Sequence, residues 1–348
     1  MFLRLLCCAG IFASAVCWAA PLKTKPLPKI CMILDKGGKD DHSFNESAIR
    51  GLERARKSLP ISPDSKFVEP RNEPLIAQFL TNFATNANCD LIIGVGYLPS
   101  TYISEVAKKY KDKKFLALDI NLDDKNVNHN ISSVTFEEHE GSFLVGAIAA
   151  MKTKTNKIGF VGGMDVPLIH RFEMGFRAGI KHINPTIQVS SSYVGITPEA
   201  WNNPSKAKEL ALSLYNTGVD IIFQVAAASG QGVFNAAEEL NKSEPSHKHY
   251  AIGVDSNQNW ISPKIILTSM VKKIDVAVFD SIQALTENKF VAGHTVFGLQ
   301  NEGVDWAYDS YNKSNYSADD LKRINEIKQD IVSGKIVVPD YYKIKTNR

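Results

Sequence analysis

Cysteine is scarce in this chain. There are five in 348 residues, and three of them, Cys7, Cys8 and Cys17, fall within the first twenty. The other two, Cys31 and Cys89, cannot build a zinc site on their own. Net charge is also scarce. The 40 Lys and Arg against 37 Asp and Glu leave +3, or +2 once Arg4 is removed with a leader. That near balance gives no electrostatic footprint for nucleic acid. Long hydrophobic runs are missing: the one candidate, Leu5 to Val16, is too short for a comfortable membrane span. Catalytic signatures are missing too. The eight histidines form no HExxH pattern and no GxSxG elbow occurs. Gly37-Gly38-Lys39 invites a phosphate-loop reading, but the spacing fails and Asp40 follows the lysine. Gly94-x-Gly96 and Gly230-x-Gly232 carry Pro99 and Asn235 where a dinucleotide fingerprint has its third glycine. No catalytic residue, metal site or cofactor is expected.

What is present begins with an address. Residues 1–20 hold a single charge, Arg4, then an apolar region, then Ala19 and Ala20. This reads as a secretory signal peptide cleaved near Ala19. Anchoring as a lipoprotein through Cys17 ranks behind soluble export, because Ser14-Ala15-Val16 lacks the Leu-x-small context of a lipobox. Cys31 and Cys89 lie near the starts of predicted strands, and buried free thiols are preferred there to a disulfide. His247 and His249 are read as solvated loop residues.

The remaining chain, about 328 residues, is too long for one ordinary core, so two lobes are expected. Apolar runs alternate with amphipathic stretches, which argues for βαβ units, parallel sheets and an α/β fold. Strands are predicted near 29–34, 65–69, 91–95, 115–119 and 132–136, with helices over 44–58, 74–86 and 99–110. A second, similar set follows, with strands at 158–161, 187–194, 220–225 and 250–255. Residues 28–130 plus about 256–285 are assigned to an N-terminal lobe, and 131–255 plus about 286–310 to a C-terminal lobe. Residues 311–348 form a C-terminal helix and tail, with Ser317 as N-cap and Asp320 at N3. No low-complexity linker separates the sets, so the chain is expected to cross between lobes several times around one cleft.

Ligands of open α/β sheets bind at the carboxyl ends of strands. The first predicted strand ends in Gly37 to Glu46, where Phe44 stands among polar residues that do not suit a core. Other strand ends carry Gly96-Tyr97, Asp119, Ala226 to Gly230, and Asp255 to Gln258, while a loop of the second set carries Trp201 to Pro204. Carboxylates there could accept hydrogen bonds from ligand hydroxyls, and two aromatics could sandwich a flat ring. Each Asp alone is as readily a helix cap or turn residue, and an isolated Trp201 is ordinary packing.

These residues carry a resemblance. Asp41-His42-Ser43-Phe44-Asn45 is similar to the D-x-S-F-N element of the basic membrane protein family, the purine-nucleoside receptor lipoproteins of ABC importers. Glu140 to Gly146, Ile158 to Asp165, Arg171 to Phe176, Gly253 to Gln258 and Thr268 to Lys272 also resemble family motifs. The resemblance spans roughly residues 28–342. It implies a type I periplasmic-binding-protein fold, two Rossmann-like lobes with a hinge, and a nucleoside clamped in the cleft. By that likeness Phe44 stacks on the base, and Trp201 stands where the family has a Phe on the other lobe, with Asn203 in place of an Asp. Asp41 and Asn45 contact the ligand or pre-organise the first loop. Asp119, Asp255 and Lys272 hold the ribose hydroxyls, with Lys273 as the alternative to Lys272. Gly230 lets backbone approach the ligand, and Tyr97 completes the ligand-binding set. The implied partner is an ABC permease in the inner membrane, and the protein is expected to be a periplasmic monomer. A sugar or autoinducer binder on the same fold, a nucleoside-cleaving enzyme using Asp41 and Asp119, and a ligand sensor are the alternatives.

Overall fold

The computed structural model describes residues 26–120 and 129–345; the expected signal peptide and Cys17 lie outside them. The first of two six-stranded sheets comprises β1 (Ile30–Ile33), β2 (Lys66–Val68), β3 (Leu91–Gly94), β4 (Lys114–Leu118), β5 (Ile131–Phe136) and β11 (Gly293–Phe297). The second comprises β6 (Lys157–Met164), β7 (Gln188–Gly195), β8 (Ile221–Val225), β9 (Tyr250–Asp255), β10 (Ile266–Lys272) and β12 (Val304–Trp306). The strand orders are β2-β1-β3-β4-β5-β11 and β7-β6-β8-β9-β10-β12. Apart from β12, which runs antiparallel to β10, the strands pair in parallel. Both sheets therefore repeat the doubly wound order whose direction reverses beside the first strand, and ligands of such sheets bind at that reversal.

The inner strands are apolar because helices cover both faces of each sheet. Every residue of β1, β3 and β8 is buried. The covering helices bury one stripe each. In the helix Pro74–Ala84 the buried residues are Ile76, Leu80, Phe83 and Ala84, at i, i+4, i+7 and i+8. The helix Ala318–Val332 opens with a reciprocal capping box between Ser317 and Asp320.

The lobe boundaries differ from those expected. Residues 131–136 form β5, which pairs with β4 in the first sheet, and β11 then pairs with β5. Residues 266–272 form β10, which pairs with β9 in the second sheet. The helix Ile274–Thr286 does pack on Phe44–Ser58 of the first lobe, and a side chain at Gly51 would strike Asp275. Strand partners are set by ladders between distant segments, which hydrophobic periodicity does not record. The chain thus passes between lobes after β5, after β10 and between β11 and β12.

Two further expectations are corrected. Cys31 and Cys89 are joined in a disulfide, with their Cα atoms 5.9 Å apart. Parallel pairing of β1 with β3 sets Ile30 beside Leu91, which brings the neighbouring cysteines together. His249 is buried, edge-on to the Tyr215 ring at 4.9 Å.

Candidate functional site

β1 delivers Asp35, and the chain then turns through Gly37 and Gly38 to Asp41. The Asp41 carboxylate accepts the amides of Ser43 (2.9 Å), Asn45 (2.9 Å) and Glu46 (3.0 Å). It thereby caps the helix Phe44–Ser58, supplying acceptors for amides that lack intrahelical partners. Burial pushes Asp41 up to about 6, against those three hydrogen bonds. Asn45 accepts the Asp35 amide at 2.9 Å and donates to the Asp35 carbonyl at 3.2 Å. Of the two roles open to Asp41 and Asn45, their hydrogen bonds serve the shaping of the loop. Asp35 carries its own carboxyl to the cavity wall, and burial raises it to about 6.

Asp41, Phe44, Asn45, Tyr97, Asp119, Trp201, Asp255 and Lys272 line one recess of about 70 Å³ between the lobes. It adjoins a chamber of about 670 Å³, and Asp35, Tyr97, Asp119, Leu168 and Trp201 line both. The recess alone falls below the roughly 300 Å³ of an ordinary ligand site, and the chamber falls within that range. Phe44 comes from the first lobe. Trp201 comes from the second, on the short turn Pro198–Trp201, with its indole lying over Gly163 where any side chain would collide.

Gly230 does not line the recess. It is buried against the Gln224 carboxamide, and its missing side chain makes room for that group, not for a ligand. Ala227, held at φ 50°, is the residue of this loop that reaches the wall. Asn203 caps the helix Pro204–Asn216 by accepting the Lys206 amide. Lys273 begins the helix Ile274–Thr286, and Lys272 is the lysine that faces the recess.

The polar side of the recess is a buried charge cluster. Asp119 follows β4 and Asp255 ends β9, and both have φ 62°, a left-handed backbone that Asp tolerates better than most residues. Lys272 Nζ lies 2.6 Å from Asp119 Oδ2 and 3.1 Å from Glu138 Oε1, with the rings of Phe136 and Phe44 at 4.9 and 5.0 Å. Burial works against the ammonium, but Asp119, Glu138 and Asp255 outweigh it and raise the lysine above its ordinary value. Burial also pushes Asp119 up to about 7 and raises Asp255. Asp255 Oδ2 accepts the Ser43 hydroxyl at 2.7 Å. Asp119 Oδ1 is buried and has no hydrogen-bond partner among the described residues. A buried acceptor left unpaired costs about 1–3 kcal/mol, so this oxygen marks where a donor belongs.

The lobes touch beside the recess. Ser256 Oγ donates to the Ser43 carbonyl (2.8 Å), Gln258 Nε2 to the His42 carbonyl (3.1 Å) and Arg50 to Ser256 Oγ (3.1 Å).

Residues 29–341 match the family described as ABC transporter substrate-binding protein, PnrA-like. The chain belongs to this family. The "CD4+ T-cell-stimulating antigen" of Listeria monocytogenes is 36% identical over 324 residues, covering 89% of this chain and 88% of the relative. The "ABC transporter nucleoside-binding protein BmpA" of Lactococcus lactis is 32% identical over 330 residues, covering 91% and 90%. A solved solute-binding protein of an ABC transporter system from Aeropyrum pernix superposes with a TM-score of 0.81 at 27% identity, covering 92% and 96%. This chain is thus a PnrA-like substrate-binding protein of an ABC transporter, with the periplasmic-binding-protein fold.

The recess also has lining residues outside the expected ligand-binding set. Asp35, Phe172 and Ala227 line the recess, and Glu138 divides its carboxylate between Lys272 and Arg171. Glu137, His139 and Asp340 bring three potential metal-ligating atoms within 4.8 Å of one another. Arg171 pairs with both carboxylates, however, so the cluster is an ion-pair network already supplied with its cation.

Proposed function

We propose that this protein is the periplasmic subunit of an ABC importer that captures a nucleoside, with a purine base preferred, and delivers it as a monomer to a permease in the inner membrane. The observation that carries the reading is Asp119 Oδ1, without a hydrogen-bond partner among the described residues, in a recess flanked by Phe44 and Trp201 from opposite lobes. A flat base suits the two rings, and a ribose hydroxyl suits the carboxylate. The Lactococcus relative, named for nucleoside binding, supports the same ligand class. Cleavage chemistry is disfavoured because the Asp41 carboxylate is taken up by three backbone amides.

Calorimetry with inosine, guanosine, adenosine, uridine, cytidine and free ribose tests the reading. Purine nucleosides are expected to bind, and ribose alone weakly or not at all. Binding of ribose with no nucleoside response would transfer the protein to the sugar-binding class.

A further inference from the structure

The Lys272 ammonium sits at the end of a flexible four-carbon stem, and such a group has no direction of its own. Its direction here comes from a chain of buried ion pairs. Asp119 Oδ2 and Glu138 Oε1 hold it at 2.6 and 3.1 Å. The other Glu138 oxygen, Oε2, accepts from Arg171 Nη1 at 2.7 Å. Arg171 in turn is gripped by Asp340 through both carboxylate oxygens, at 2.9 and 3.0 Å, and also pairs with Glu137 and the Phe136 carbonyl. Arg171, Glu138 and Lys272 are at most 4% exposed, and Asp340 is 6% exposed.

These residues come from separate parts of the fold. Asp119 ends a first-lobe strand, Glu138 and Lys272 stand where the chain passes between lobes, Arg171 is on a second-lobe helix, and Asp340 belongs to the C-terminal segment. Lys272 and Arg171 are the two buried cations among four carboxylates in this network, and the exposed Lys343 reaches Asp340 Oδ2 only at 4.0 Å. Without Arg171, Glu138 would have only Lys272 to neutralise it and would draw the ammonium away from Asp119.

We propose that Arg171, clamped by Asp340 of the C-terminal segment, is a positioning residue for the ligand: by holding Glu138 it sets where Lys272 and Asp119 meet the hydroxyls of the bound molecule. The proposal rests on the nucleoside reading above and adds a role for a residue that lines the adjoining chamber and not the recess itself.

The test compares inosine and guanosine with their 2′,3′-dideoxy analogues by calorimetry, in wild type, Arg171→Met, Arg171→Lys and Asp340→Asn. Loss of a correctly aimed charged pair is expected to weaken the ribonucleosides about tenfold or more in Arg171→Met, and the dideoxy analogues by less than about threefold. Arg171→Lys, which keeps the charge but not the fork, falls between wild type and Arg171→Met. Asp340→Asn shows the same selective loss in weaker form, and carries the test if Arg171→Met does not fold. Equal losses for the ribo and dideoxy ligands, or no loss, would overturn the proposal while leaving the nucleoside reading intact. A wild type that binds none of the four probes would overturn both.

Discussion

Phe44 and Trp201 reach the same recess from opposite lobes, so each can be removed without disturbing the other's backbone. Base–aromatic stacking contributes about 1–3 kcal/mol per base. Phe44→Ala and Trp201→Ala should each weaken nucleoside binding by roughly 5- to 150-fold in calorimetry; normal binding by both would remove the stacking claim. Asp119 makes a second prediction. Its carboxyl, raised to about 7 by burial, takes up a proton as pH falls through neutrality. Lys272 donates to Oδ2, so that proton goes to Oδ1 and turns it from an acceptor into a donor, and affinity for a ligand hydroxyl donating there should fall roughly tenfold between pH 8 and pH 6. The unliganded fold responds with the opposite sign. A carboxyl raised in the folded state binds more protons than in the unfolded chain, so its contribution to stability declines as pH rises from about 4 towards 7. Affinity that stays flat across pH 6–8 would show that no ligand donor meets Asp119. At this scale much of the lining of the recess was legible, because polar and aromatic side chains at strand ends have few core roles. Asp35 and Glu138 escaped notice because one reads as turn and the other as the opening of a helix. Gly230 was misread for a related reason: a glycine after a strand looks open to a ligand, and the side chain that fills its space, Gln224, gives no sign of this in sequence.

Elements were legible in existence and less so in partnership. The alternation of strands and helices, the similarity of the two sets and the Ser317 cap all appear in the structure. The sheets to which β5, β10 and β11 belong do not follow from local pattern, because a strand's own sequence does not record which distant strand it pairs with. The Cys31–Cys89 bond has the same origin, since it depends on β1 lying beside β3. Closing a loop with a sequence separation of 58 is expected to contribute about 4 kcal/mol through the unfolded chain. Cys31→Ser/Cys89→Ser should therefore unfold at lower denaturant than wild type, and reductant should shift wild type to match. Coincident denaturation curves for the two proteins would show the bond to be without weight. A bonded pair also agrees with an oxidising compartment, and so with export.

At the scale of the whole molecule, two doubly wound sheets set their strand-end loops against each other, and the chain passes between them at three places. Glu138 and Lys272 stand at two of those passages, so charged side chains of the candidate site lie where the lobes are joined. The hydrogen bonds joining Ser43 and His42 to Ser256 and Gln258 hold the lobes together beside the recess. Capture by such a clamp needs a ligand that touches both lobes at once, which a nucleoside does if its base lies between Phe44 and Trp201 and its ribose faces Asp119, Asp255 and Lys272. A crystal structure of the protein grown with inosine tests this most directly. The base should lie between Phe44 and Trp201, with a ribose hydroxyl about 2.7–3.0 Å from Asp119 Oδ1. Inosine lodged elsewhere in the chamber, with Asp119 Oδ1 still without a donor, would contradict the account.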